Sequence, residues 1–392
     1  MLRGAFFHEG HDHDDYSHDH DQDAGVPFTW ALDNVDLTTV GVDVGSSTSH
    51  LLFAHLHLQR MTEALSSRFV VVEREVLHRS PILLTPYRAD GLIDADALQR
   101  FVEQAYVDAD LTADDVDTGA VILTGAALER ANARNVAELF AGSGGKFVCA
   151  SAGHNLEGIL AAHGSGAVTL SRECHQTLLH VDVGGGTTKL GLLHDGDIVR
   201  TAAIHVGGRL IAFDDEDRVT RIEPSGAAIA KHLAVPLALG EPVSPADRQR
   251  MADCLAEILL DYACGRPPSD LGRTFLLTEP LEMDGLRPSG VTFSGGVAEY
   301  IYGREGSQYG DLGPQLAHAL QQGDWPAAAV PLEEGIRATV LGASQFSVQL
   351  SGQTVHIADP MVLPLRNLPV VYARVPSFNP SRDEVAEAIR NG

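Results

Sequence analysis

VGVDVGSSTSHL, residues 40–51, and LHVDVGGGTTKL, residues 179–190, are two versions of one segment. Both contain V-D-V-G-x-x-T-x-x-L, and 139 positions separate Asp43 from Asp182 (182 less 43). In each, apolar runs flank a short Gly-rich turn, which reads as a strand–turn–strand hairpin. A repeat at that distance is too long for a solenoid unit. It predicts a duplicated domain in which each half opens with such a hairpin.

The residue types of the repeat suit a polyphosphate. Phosphate oxygens need N–H donors at close range, and glycine lets the backbone approach and turn sharply. Gly45, Ser46, Ser47 and Thr48 supply one candidate loop; Gly184, Gly185, Gly186, Thr187 and Thr188 supply a second. Asp43 and Asp182 each end the strand before their loop. Two carboxylates facing one phosphate chain would repel it unless Mg²⁺ sits between them with its waters, so both are candidate metal ligands. One Asp-x-Gly turn alone is an ordinary hairpin or Asx turn; two in corresponding positions are far more specific. Ser294-Gly295-Gly296-Val297 forms a third glycine element, placed in the chain to contact an adenosine. The motifs GxxxxGK[ST] and GxGxxG after the first strand are absent, which removes the two common rival nucleotide folds.

Composition sets the remaining bounds. The chain has 392 residues, 44% hydrophobic and 21% charged, with a net charge of -25. This is a globular profile, long enough for two or three compact units. The acidity argues against a nucleic-acid partner but not against ATP, which backbone N–H groups and a metal can hold. Lysine occurs only at Lys146, Lys189 and Lys231. No apolar run reaches about 18 residues, so no membrane span is expected. Cys149, Cys174, Cys254 and Cys264 form no CxxC pair and read as reduced cytosolic thiols. Residues 8–23, with His8, His11, His13, His18 and His20 among carboxylates, cannot build a core. They read as a solvated acidic tail more readily than as a metal store, because no rigid scaffold fixes a coordination geometry.

Along the chain, strands are expected over 69–76, 120–123 and 147–150, and helices over 95–109, 127–140 and 155–163. After the second hairpin, helices are expected over 225–233, 245–264 and 332–346. VTFSGGVAEY (291–300) reads as strand, glycine turn and helix. Strand-like pieces at 353–357 and 368–372 close the chain. The expected units are a tail and linker over 1–37, a first lobe over 38–155, a second over 156–345 and an extension over 346–392 that returns toward the first lobe.

The set VGVDVGSST, HVDVGGGTTKLG, FSGGVAEY and EEGIRATVLGA resembles the actin/Hsp70/sugar-kinase superfamily. The resemblance implies an actin-like (ribonuclease H-like) ATPase fold: two α/β lobes with mixed five-stranded sheets around a nucleotide cleft. It makes the two repeats phosphate loops, matches Gly207-Gly208 to a glycine pair after the second hairpin, and puts connecting helices near 151–164 and 333–343. A closer resemblance, over about 40–371, is to the ethanolamine ammonia-lyase reactivating factors. It is carried by SPILLTPY (80–87), Asn132-Ala133-Arg134, ASAGHNLEGILAAHGSGA (150–167), HVGGRLI (205–211), RATVLGA (337–343) and LPLRNLPV (363–370). No superfamily-wide requirement explains HVGGRLI or RNLPV. Members of that family commonly have a glutamate where this chain has Ala126, usually continue past the position of Gly392, and do not generally share the His-rich tail.

This resemblance implies a cytoplasmic chaperone-like factor, with association with an ethanolamine microcompartment left open. It implies use of ATP and Mg²⁺ to release damaged cobalamin from inactivated ethanolamine ammonia-lyase, so that adenosylcobalamin rebinds. The expected partners are that lyase and ATP/ADP, with weak ATPase activity. For orienting water, Asp182 acting through the metal and Glu157 on the first connecting helix are the candidates, although a surface helix carboxylate is the commoner reading of Glu157. A DxHxxG motif is absent, so no tight cobalamin site is expected, and His154 reads as a polar hinge residue. The main rival is a small-molecule kinase of the same fold, which phosphotransfer to ethanolamine or sugars would reveal. A dehydratase activator would need cluster-bridging cysteines, and a filament former would sediment with ATP.

Overall fold

The computed structural model describes residues 34–60, 69–88, 92–124, 147–151 and 153–346. The helix expected over 127–140, the strands expected over 353–357 and 368–372, residues 8–23 and position 126 lie outside these.

The first repeated segment forms the hairpin β1 (Asn34–Val44) and β2 (Thr48–Arg60), closed at the pair Val44–Ser49. β2 continues antiparallel to β3 (Phe69–Arg79) and also pairs with the short β4 (Leu83–Leu84). The chain then runs through α1 (Ala95–Asp108), whose N-cap Asp94 accepts a hydrogen bond from Ala97 N at 3.0 Å. It returns as β5 (Thr118–Leu123), parallel to β1, and then β6 (Phe147–Ser151). The order is β3-β2-β1-β5-β6. Val40, Val42 and Val44 on one face of β1 join Leu98 and Val102 of α1 in a single core.

Two helices, α2 (His154–Gly164) and α3 (Ala167–Glu173), lead to the second repeated segment. It forms β7 (Thr177–Val183) and β8 (Thr188–His194), closed at Val183–Thr188, and β9 (Asp197–Ile204) follows antiparallel. The ribbon β10 (Ile211–Phe213) and β11 (Val219–Ile222) comes next, then α4 (Pro224–His232), α5 (Pro245–Ala263) and α6 (Asp270–Arg273). β12 (Gly290–Ser294) then adds parallel to β7, giving the order β12-β7-β8-β9. Both sheets therefore start with an antiparallel three-strand meander and extend by a parallel strand beside its first member. This is the duplicated plan expected from the repeat.

Among the described residues the first sheet has a five-strand path with β4 beside it, and the second has four strands where the resemblance implied five. In the second, the place of β6 is taken by one bridge, Val291 with Ala329. Val291 N donates to Ala328 O (2.9 Å) and Val330 N to Val291 O (2.7 Å). The next ladder bond would run from Phe293 N to Val330 O, but the Tyr302 hydroxyl stands between them, accepting from Phe293 N (2.9 Å) and donating to Val330 O (3.0 Å), and the pairing stops.

The chain continues through α7 (Gly296–Ile301) and α8 (Gly313–Gln321) to α9 (Ala338–Phe346). The helix expected over 332–346 thus begins six residues late. The preceding segment is tied to α7 instead: Ile336 N donates to Glu299 Oε1 at 2.8 Å. α9 packs on β1, β2 and β5 of the first sheet, and α2 packs on β7, β8 and β9 of the second. The two helices touch where glycines allow it. A Cβ on Gly164 would overlap Ala338 O, and one on Gly342 would overlap Leu160 O. Gly342→Ala is expected to destabilise the fold by about 1–3 kcal/mol through this overlap. An unchanged melting midpoint would show that the helices can separate freely.

Candidate functional site

The two hairpin turns are built alike. Gly45 N donates to Thr48 O at 2.9 Å, and Gly184 N donates to Thr187 O at 3.0 Å. Each turn leaves its strand just after an aspartate, so Asp43 and Asp182 sit at equivalent ends of β1 and β7. Parallel neighbours support both carboxylates. Thr124, just past β5, donates from Oγ1 to Asp43 Oδ1 at 3.1 Å. Ser294, the last residue of β12, donates from Oγ to Asp182 Oδ1 at 2.7 Å.

The turns meet. A Cβ on Gly185 would overlap Ser47 Oγ, so the glycine makes room for the other turn. Ser47 Oγ is buried and has no hydrogen-bond partner among the described residues. Tyr87 Oη and Arg221 Nη1 both donate to Ser46 O, at 3.0 and 3.2 Å. Arg221 also stacks on the Tyr87 ring, 5.2 Å from its centroid. The β10–β11 ribbon is thereby pinned to the first turn.

Between them lies a cavity of about 360 Å³. Of the residues singled out from sequence, Asp43, Gly45, Ser46, Ser47, Thr48, Asp182, Gly184, Gly185, Gly186, Thr187, Gly208, Gly295, Gly296 and Val297 line it. Thr188, Gly207, Ser294 and Glu157 stand behind its wall. Thr188 Oγ1 donates to Val206 O at 2.7 Å, and Gly207 packs on the Gly185 backbone. Gly295 adopts φ 84°, where a Cβ would overlap Val183 O, so only glycine fits beneath the second turn.

Glu157 is not a surface carboxylate. It is 1% exposed and forms an ion pair with Lys189 on β8. The helix that carries it lies against the second sheet, and Glu157 is on its covered side while Asn155 and His163 are exposed. Lys189 links Glu157 to the cavity, which it lines. The signal for Lys189 was its rarity and its place in the repeat, where it corresponds to His50.

Burial and mutual repulsion dominate the electrostatics. Desolvation, then the charge of Glu157, pushes the Asp43 carboxyl up to about 7, against the pull of Thr124 and Lys189; Asp182 adds to the rise. Burial also raises Asp182, with Lys189 and Ser294 opposing. Burial would lower Lys189, yet Glu157, Asp182 and Asp43 outweigh it and hold the ammonium charged. His180 is pushed down to about 3 by burial. Its Nε2 lies 3.0 Å from Ser294 Oγ and its Nδ1 lies 2.9 Å from Thr292 Oγ1. The Ser294 proton goes to Asp182, so His180 Nε2 donates to Ser294 and Nδ1 accepts from Thr292. The chain Thr292–His180–Ser294 thus fixes the Asp182 carboxylate.

The far end of the cavity holds residues that sequence reading missed. Arg209 Nη1 donates to Tyr309 O (2.6 Å) and to Asp311 Oδ2 (3.2 Å). These partners are about a hundred positions apart, and no local pattern joins them. Among the described residues, no group of three or more His, Cys, Asp or Glu side chains is arranged to hold a metal. No described helix is long and apolar enough to cross a membrane.

The family profile described as "Ethanolamine utilisation protein EutA" matches residues 35–392. The chain belongs to the EutA family. It is 32% identical over 345 residues to the "Ethanolamine ammonia-lyase reactivase EutA" of Salmonella typhimurium strain LT2, covering 85% of this chain and 72% of that one. To the protein of the same description from Escherichia coli strain K12 it is 33% identical over 342 residues, with the same coverage. Among solved structures, the ethanolamine utilization protein EutJ from Carboxydothermus hydrogenoformans matches at 16% identity and a TM-score of 0.40, over 80% of this chain and 90% of that one.

Proposed function

We propose that this chain is an ATP- and Mg²⁺-dependent reactivating factor for ethanolamine ammonia-lyase, acting in the cytoplasm. Its EutA-family relatives carry the name of that activity. The observation that carries the nucleotide reading is the convergence of both aspartate-led glycine turns on one cavity. The residues suit a polyphosphate. Gly45, Gly184 and Gly186 present backbone at the wall, and Ser47 Oγ is a buried hydroxyl without a partner. They also suit a hard divalent cation held chiefly by phosphates and water, since Asp43 and Asp182 alone supply one or two carboxylates.

When bound, Mg²⁺–ATP supplies a hydrolysable phosphoanhydride and the charge that Asp43 and Asp182 face. The protein's own residues do the rest. Asp182 is held in one orientation by Ser294 and His180. Glu157, from behind Lys189, keeps that ammonium charged beside the two aspartates. Ser46, Tyr87 and Arg221 tie a turn of the first sheet to a ribbon of the second half. A ligand that prefers the joined arrangement shifts the population toward it, and a shift from 1:99 to 99:1 needs about 5.5 kcal/mol of preference. We assign the first sheet with α1 to a lobe over 38–155 and the second sheet with its helices to a lobe over 156–345, from which α9 crosses to pack on the first sheet. Their relative movement would alter the surface that grips the lyase, so that damaged cobalamin leaves and adenosylcobalamin enters.

The test uses ethanolamine ammonia-lyase inactivated with cyanocobalamin. Adding the protein, Mg²⁺, ATP and adenosylcobalamin is expected to restore deaminase activity. Asp182→Asn is expected to lower the recovery rate by at least about tenfold, as loss of a metal-facing group does. Recovery without ATP, or full recovery with the variant, would sink the proposal.

A further inference from the structure

The cavity does not end at the two turns. Beyond the first turn its wall is made by His50, Arg337 and Thr339, with Ile82 and Leu84 exposed at the rim. His50 is 2% exposed, and neither of its ring nitrogens has a hydrogen-bond partner among the described residues. Asp43 Oδ2 lies 3.9 Å from Nε2, beyond hydrogen-bond reach. Arg337 donates from Nη2 to Ser80 O at 2.9 Å, but its buried Nε has no partner either. Three buried polar atoms on two side chains thus line one end of one cavity unsatisfied. Buried polar groups are normally hydrogen-bonded, so such a cluster calls for a ligand.

The comparison with the second turn sharpens this. His50 and Lys189 occupy the same place in the repeat. Lys189 is satisfied by Glu157, an acid of the protein itself. The acid nearest His50 is Asp43, too far to accept from it, and the cation beside it is Arg337, whose charge acts on the imidazole. The other charges acting on Arg337 are Arg79, Glu334 and Glu299. A guanidinium and an imidazole side by side, both with idle nitrogens, fit an oxygen-rich anion that accepts from each.

We propose that this end of the cavity is a subsite for a phosphate-sized oxyanion, walled by His50 and Arg337. Its position next to the first turn suggests the source, a point that rests on the nucleotide reading above. Hydrolysis of ATP takes up water, breaks the bond between the β–γ bridging oxygen and the γ-phosphorus, and yields ADP, hydrogen phosphate and a proton. The subsite would retain that phosphate before it leaves past Ile82 and Leu84, and so prolong the joined state of the two turns. Free phosphate from solution has the same chemistry and could fill it too.

The test measures equilibrium binding of inorganic phosphate to the full chain, with and without Mg²⁺–ADP, for wild type, His50→Leu and Arg337→Met. Phosphate binding is expected to weaken at least tenfold in each variant, with Mg²⁺–ADP affinity within twofold of wild type. Arg337→Lys should recover part of the loss. If His50→Leu does not fold, Arg337→Met and its lysine counterpart decide the matter. Absence of phosphate binding at millimolar concentration, or equal binding by wild type and Arg337→Met, would overturn the subsite. Phosphate binding that depends on Arg337 in a protein that takes up no Mg²⁺–ADP would instead overturn the nucleotide reading and leave the subsite standing. Single-turnover hydrolysis separates the two sources. Release of free phosphate should lag behind cleavage in wild type and lose its lag in the variants if the γ-phosphate is the one held. An unchanged lag beside weakened equilibrium binding would assign the subsite to phosphate from solution.

Discussion

Replacing Lys189 by methionine is expected to destabilise the protein by about 3–4 kcal/mol at neutral pH, within the range for breaking a buried ion pair from one side. Methionine keeps the length of the side chain and removes its charge. Lys189 is the cation that acts on Asp43 and Asp182 and pairs with Glu157. Without it, Glu157 would lose the ammonium that balances its charge inside the protein. It would escape by taking a proton, which caps the cost at roughly 1.4 kcal/mol for each pH unit above its ordinary value near 4.3. That cap fixes the sign of the pH dependence. In the variant the folded state would bind a proton that the unfolded chain has lost, so the variant's stability falls as pH rises above about 4.3. The gap to wild type should be small near pH 5 and large near pH 8. Urea unfolding at those two pH values measures it. A gap that is constant or absent would mean that Glu157 finds another partner.

The hairpin pair was legible because it is a local pattern that occurs twice. A strand, an aspartate and a glycine turn are set by adjacent residues, so β1–β2 and β7–β8 could be read before any contact was known. The convergence of the turns was legible only as an inference from that symmetry. Other features were hidden for identifiable reasons. Helical spacing in His154–Gly164 does not say which face is covered, and a helix clasped between a sheet and a second helix has little exposed face. Glu157 therefore looked like a surface acid. Arg209 with Asp311, and Arg337 with Ser80, join positions 102 and 257 apart, and nothing local in either segment encodes the partner. The stop after Val330 is hidden in the same way, because the Tyr302 hydroxyl that interrupts the ladder lies 28 positions away from it.

The carboxylate cluster that would serve a ligand also works against the fold. Asp43→Asn is expected to make the ligand-free protein more stable, on the order of 3–4 kcal/mol at pH 8. The Asp43 carboxyl, ordinarily near 3.8, is pushed up to about 7, first by burial and then by Glu157. Between those values the native state holds a proton that the unfolded chain has released. Stability then declines as pH rises through the window, and the full penalty is present above about 7. Asparagine has nearly the same shape, can still accept from Thr124 Oγ1, and carries no charge to bury. Its stability should therefore vary less between pH 4 and pH 7 than that of wild type. Mg²⁺–ATP should reverse the order, since it stabilises the form that binds it, by RT ln(1 + [L]/Kd), and the variant lacks one of the two proposed metal-facing carboxylates. Thermal melts at pH 5 and pH 8, with and without Mg²⁺–ATP, give the four comparisons. An Asp43→Asn protein no more stable than wild type at pH 8 without ligand would mean that the buried charge is already compensated, and that Asp43 is not held in reserve for a cation.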